Sequence, residues 1–142
     1  MVEYPVSFSS ESETGKKEEK WSVKTGEGLE TEMSVPEEFG GDSENPSPED
    51  LFNASLSACI IATFKITAER KGLEFSNVEL DSETFLDRNE EGRPVMKNAE
   101  IVVEVYGTKD EKLGEEVAQI TERNCFIHNS VKTDVDTKFN FH

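Results

Sequence analysis

Between Leu51 and Ile66 the only charged residue is Lys65, and the apolar side chains point in nearly every direction of a 3.6-residue helix. A helix that is apolar all round must be covered all round. That requirement constrains the fold more than any other feature, because little of the chain is free to provide the cover. The chain has 142 residues, and only 34% of them are hydrophobic. Pooling the core with a second copy of the same chain would ease the shortage. The ends of the helix are marked. Ser47-Pro48-Glu49-Asp50 supplies an N-cap serine, a proline at the first helical position and an acid three residues after the serine. Lys71-Gly72 supplies the stop.

The remaining segments arrange themselves around this helix. Short strands are expected around Tyr4–Phe8, at Trp21–Thr25 and at Leu29–Val35. The polar stretch 9–20 reads as a long turn or a mobile hairpin tip, and 36–46 as a loop rich in Pro, Gly, Asp and Asn. After Gly72, Val78, Leu80, Ser82, Thr84 and Leu86 alternate with polar neighbours, and Asn89–Gly92 turns the chain into a strand over Ala99–Tyr106. Residues Asp110–Asn124 return to a helical period, with Leu113, Val117 and Ile120 on one face and Cys125 at the exit. Val131, Thr133, Val135, Thr137, Phe139 and Phe141 make one face of a final half-buried strand. The order is β-β-β-α-β-β-α-β, an α+β fold in a single domain over 1–142.

The formal net charge is −16, from 31 acidic and 15 basic residues. Such a surface repels phosphate backbones and anionic lipid, so neither nucleic acid nor a membrane is expected as a partner. The acid is spread along the chain, which suits either a salty cytoplasm or ordinary solubility. No basic and apolar leader opens the sequence, and no apolar run approaches the ~18 residues of a membrane span. A cytoplasmic location is the expectation.

The chemistry available is narrow. Cys59 and Cys125 form no CxxC or CxxH pair, and a reducing compartment leaves them as two buried spectators or a redox pair. Cys59 lies in Ser57-Ala58-Cys59-Ile60-Ile61, the setting of a packed core cysteine. Burial there raises a thiol pKa, so reactivity needs a cation or hydrogen-bond donors aimed at the sulfur. The helix N-terminus is too far away to supply them. His128 and His142 have no spaced ligand set around them, so no metal is expected, and His128 reads as a polar loop residue rather than a base. No GxGxxG, Walker or GxSxG pattern occurs, and no cofactor is expected.

Asn45-Pro46-Ser47-Pro48-Glu49-Asp50-Leu51-Phe52, followed by Ala54, Ser57 and Ala58-Cys59, resembles the helix motif of the OsmC/Ohr family (osmotically inducible protein C and organic hydroperoxide resistance protein). The loop Val35-Pro36-Glu37-Glu38-Phe39-Gly40-Gly41, the Lys71-Gly72-Leu73 exit and a second cysteine after a later helix are similar to that family too. The resemblance implies an intertwined homodimer with sheets wrapped around long central helices. It implies a thiol peroxidase in which Cys59 attacks an organic hydroperoxide and becomes a sulfenic acid. Cys125 then condenses with it to a disulfide, and a dithiol reductant of the dihydrolipoamide or thioredoxin type reopens the bond. Glu49 matches the glutamate that holds a catalytic arginine in peroxidase members. Ten residues separate Glu49 from Cys59, ~15 Å along one helix, so a shared site needs Glu49 from the partner chain.

The chain departs from the family pattern in two places. Peroxidase members carry an arginine in the N-terminal strands, whereas no arginine precedes Arg70 here. Lys16, Lys17, Lys20 and Lys24 are the only cations in that region, with Lys20 and Lys24 the first candidates to replace it and Arg88, Arg93 or Arg123 the others. Phe126 also stands where the family often has proline. The alternative is therefore a non-enzymatic member that binds a small apolar ligand or senses redox state.

Overall fold

The computed structural model describes every residue from Met1 to His142 and divides into two compact units, Met1–Leu51 and Phe52–His142.

In the first unit three antiparallel strands, β1 (Ser10–Glu13), β2 (Trp21–Thr25) and β3 (Glu30–Met33), pair in sequence order. This corrects the sequence expectation in one respect. Strand β1 falls inside the polar stretch assigned to a turn, and Tyr4–Phe8 forms no strand. The reason is physical. All four β1 residues are exposed, and β1 is held by backbone pairing from Ser10 opposite Thr25 to Glu13 opposite Ser22. Side-chain alternation reports a buried face, and β1 has none. The loop after β3 contains a short 3-10 turn at Glu37–Phe39 and leads to the start of the long helix. There the expected capping box is formed: the Asp50 N–H donates to Ser47 Oγ at 3.2 Å, and the Ser47 N–H donates to Asp50 Oδ2 at 2.8 Å.

Helix α1 runs unbroken over Pro48–Lys71, so only its first turn belongs to the first unit. It stops at Gly72, whose φ of +73° suits a residue without a Cβ, while the Leu73 N–H returns to the Ala68 carbonyl at 2.9 Å. The second unit continues with β4 (Asn77–Arg88), β5 (Pro94–Tyr106), α2 (Glu111–Asn124) and β6 (Asp134–Phe141). The sheet order is β4-β5-β6, with β4 antiparallel and β6 parallel to the central β5. A parallel neighbour requires a crossover, and α2 provides it. The Asp110 side chain caps α2 by accepting from the Leu113 N–H at 3.0 Å.

The core follows from the periods. Ala99, Ile101, Val103 and Val105, every second residue of β5, are buried in one cluster with Leu56, Ile60, Phe64 and Ala68, every fourth residue of α1. Phe64 is the anchor, edge-on to Phe75 at 5.4 Å and stacked with Phe139 at 5.8 Å between ring centroids. The opposite face of α1 is open: Ala54, Ala58, Ala62 and Ile66 are exposed. Within one chain, therefore, the all-round apolar helix is covered on one side. By length and composition α1 is also apolar enough to cross a membrane, which amends the expectation that no run approached that length. Between Leu51 and Ile66 its polar residues are the small Asn53, Ser55, Ser57 and Thr63 and the one charged residue, Lys65. Packing of one whole face into the β5 cluster is the behaviour of a core helix.

Candidate functional site

Two elements of the second unit bring the sulfurs together. Cys59 lies on α1 one residue before buried Ile60, which leaves it at the edge of the packed stripe, half-buried. Cys125 caps the C-terminus of α2 in an extended conformation and is fully buried. Both are free thiols; Cys59 packs against the buried cluster that includes Cys125 and is near enough to raise the Cys125 thiol. Thr63, one turn further along α1, places its hydroxyl 4.0 Å from the Cys59 sulfur.

The two thiols differ electrostatically. Burial pushes the Cys125 thiol up to about 12, the Cys59 side chain adds to the rise, and the backbone N–H groups of His128 and Ile127 oppose it. Cys125 therefore keeps its proton at neutral pH. Cys59 is the less buried of the two. Phe126, 75% exposed, and Ile127 stand next to Cys125 as an apolar margin.

Residues Cys125 to Ser130 form a self-bonded turn. The Asn129 N–H donates to the Cys125 carbonyl at 3.0 Å, the Asn129 side-chain amide donates to the Arg123 carbonyl at 3.0 Å, and the Ser130 hydroxyl donates to the Phe126 carbonyl at 2.7 Å. His128 points out of this turn: its Nε2 lies 3.3 Å from the carbonyl of Leu56 on α1. A carbonyl only accepts, so Nε2 carries the proton. Burial lowers the imidazole pKa, and the bond to Leu56 opposes that shift. The sequence reading missed this residue, assigning it to a loop. No spacing links His128 to Leu56 across the chain, so no local pattern signals the contact.

The other candidates stand elsewhere. Glu49 belongs to the first unit, where its Oε2 is buried and accepts no hydrogen bond. Lys20 lies 3.7 Å from Asp42, in the first unit as well. Arg88 and Arg93 are occupied at the β4–β5 hairpin, Arg88 donating to the Gly92 carbonyl at 2.7 Å and Arg93 lying 3.7 Å from Glu91. No group of three or more His, Cys, Asp or Glu side chains is placed to hold a metal ion. What the site offers chemically is a half-buried thiol with a fully buried, protonated one near it. Joining them requires the sulfurs to close to ~2.05 Å.

A profile described as OsmC-like protein matches residues 40–140. The uncharacterized protein YmaD of Bacillus subtilis is 22% identical over 110 residues, which cover 75% of this chain and 73% of YmaD. Among solved structures, an OsmC-like protein of unknown function from Vibrio cholerae superposes with a TM-score of 0.87 at 19% identity, over 96% of this chain and 100% of that one. An organic hydroperoxide resistance protein OsmC from Legionella pneumophila gives 0.73 at 20% identity, over 98% of each chain. The organic hydroperoxide resistance protein OhrB of Bacillus subtilis gives 0.65 at 19% identity, over 96% of this chain and 98% of that one. At these identities the structural likeness establishes the fold.

Proposed function

The chain belongs to the OsmC-like protein family, and from that membership we propose that it is a cytoplasmic, homodimeric thiol peroxidase acting on organic hydroperoxides. The observation that carries the reading is a pair of free thiols in one cluster, Cys59 half-buried and Cys125 fully buried, with Cys59 near enough to shift Cys125. That asymmetry supports Cys59 as the attacking sulfur and Cys125 as the resolving one. The Cys59 thiolate attacks the peroxide oxygen, the O–O bond breaks, and with one proton taken up the products are the Cys59 sulfenic acid and an alcohol. The Cys125 sulfur then displaces water from the sulfenic acid, giving the Cys59–Cys125 disulfide. A second thiol in place traps the sulfenic acid before it goes further up the oxidation ladder. An external dithiol, of the dihydrolipoamide or thioredoxin type, restores both thiols and leaves as its own disulfide.

The apolar residues around Cys59 and the margin of Phe126 and Ile127 favour an alkyl or lipid hydroperoxide over hydrogen peroxide, because they bury the tail. Two neighbours of similar fold carry hydroperoxide resistance in their names, in keeping with this substrate class. The open Ala54–Ala58–Ala62–Ile66 face of α1 is the surface we assign to the second copy. Glu49, with one carboxylate oxygen buried and unpaired, is the residue assigned to hold the activating cation of the assembled site.

Anaerobically reduced protein given cumene hydroperoxide or hydrogen peroxide in parallel tests the proposal. Wild type is expected to lose two thiols and form an intramolecular disulfide, faster with cumene hydroperoxide. Cys125→Ser is expected to accumulate sulfenic and then sulfinic acid at Cys59. Wild type that over-oxidises as fast as Cys125→Ser, with no crosslinked peptide, removes the resolving role. The second reading, a redox-sensing or ligand-binding protein, is favoured by the absence of any arginine before Arg70. It gains if Cys59 proves inert to both peroxides while an apolar ligand still binds.

A further inference from the structure

We propose that His128 is a positioning residue: its imidazole donates from Nε2 to the Leu56 carbonyl and holds the Cys125 turn against the helix that carries Cys59. The inference rests on the thiol-pair reading above and adds to it the residue that keeps the pair in register. The side-chain hydrogen bonds of the turn show why it matters. Those of Asn129 and Ser130 end on Arg123 and Phe126, within the turn itself or on α2. The bond from His128, by contrast, leaves the turn for α1.

The spacing is symmetrical about the sulfurs. Leu56 precedes Cys59 by three residues on α1, and His128 follows Cys125 by three residues in the turn. The hydrogen bond therefore lies about one turn away from the thiols on both chain segments and fixes how far they slide past each other. Apolar packing of Cys125 resists separation but is non-directional, so it does not fix that register. Disulfide geometry is demanding, with the Cβ atoms ~3.8 Å apart and the torsion near ~90°. A tether of defined length meets that demand where burial alone does not.

The test reads the thiol pair itself rather than peroxide turnover. Reduced protein is equilibrated with glutathione buffers, in which protein dithiol and glutathione disulfide exchange to protein disulfide and two glutathione molecules, and the equilibrium constant is measured. The bond is expected to be firmer in the disulfide state, so His128→Ala is expected to lower the constant by roughly three- to tenfold. For this two-electron couple, tenfold corresponds to ~30 mV toward a more oxidising potential. His128→Gln, whose amide N–H reaches the position of Nε2, is expected to restore most of the loss. His128→Phe, which fills the same space without a donor, is expected to behave as His128→Ala does.

A constant unchanged in His128→Ala overturns the proposal, and so does a His128→Phe variant that matches wild type. If His128→Ala does not fold, the Gln and Phe pair decides, since Gln carries a donor that Phe lacks. A wild-type protein that forms the disulfide in glutathione yet ignores hydroperoxides refutes the peroxidase reading and leaves the tether standing. A wild-type protein that forms no disulfide in any glutathione buffer refutes the tether.

Discussion

At the scale of single residues, the two cysteines are separated by solvation. Cys59 sits at the margin of the core and Cys125 inside it, and burial together with the Cys59 neighbour takes the Cys125 thiol to about 12. At pH 9 its thiolate fraction is then roughly a thousandth. Alkylation of native protein with iodoacetamide is expected to label Cys59 alone, with Cys125 labelled only after unfolding; equal labelling of the two contradicts the assigned roles. The same shift acts on stability. The folded-state pKa is raised above its ordinary 9.0, so the folded chain keeps a proton that the unfolded chain releases. The contribution is fully present below pH 9 and is lost as the pH rises toward 12. Wild type should therefore lose stability more steeply than Cys125→Ala between those limits in chemical-denaturation curves taken at successive pH values. The sequence told where the thiols lie along the chain but not which is deeper. Depth depends on the cluster that α1 and β5 build around Cys125, whose members are far apart along the chain.

Elements were legible where a local rule writes them. The capping box at Ser47 and Asp50 and the Gly72 stop form as their residue types dictate. Strand β1 was not legible, because backbone pairing with β2 carries it and no side-chain face is buried. Helix α1 was legible as an element, while the division of its surface was not. Apolar residues at every azimuth do not say which stripe meets β5 and which stays open. The structure resolves that division and makes the two faces separately testable. Phe64→Ala, on the stripe that meets Phe75 and Phe139, is expected to cost ~3–5 kcal/mol in denaturant unfolding. Ala62→Lys, on the open stripe, removes no contact within the chain. It is expected to leave the secondary structure intact and to shift sedimentation toward the single-chain mass. If Ala62→Lys sediments as wild type does, the second copy is not seated on that face.

The whole molecule carries far more acid than it can pair, and the second sheet shows where the excess goes. Its core-facing residues alternate with outward ones, and across the outward face Glu83 lies opposite Glu100, which in turn lies beside Asp136. All three are exposed, so no burial forces them together. Like charges directly opposite each other on neighbouring strands are destabilising, with Cβ atoms ~5 Å apart. Asp136 also acts on α2, where burial and then its charge raise the carboxyl of Glu122. The opposing effect is small. Exposed ion pairs such as Lys71–Glu116 at 2.7 Å contribute ~0–1 kcal/mol each and weaken with salt. With 31 acids against 15 bases, repulsion dominates, and screening it should help the fold more than screening the few pairs hurts it. The screening length falls from ~10 Å at 0.1 M to ~3 Å at 1 M, which brings it below the spacing of the strands. Thermal stability is therefore expected to rise with potassium chloride across that range. Glu100→Gln, which removes the central charge of the row, should raise stability at low salt and flatten the rise. A melting temperature that falls with salt, or a Glu100→Gln curve parallel to wild type, would show that this row does not set the salt response.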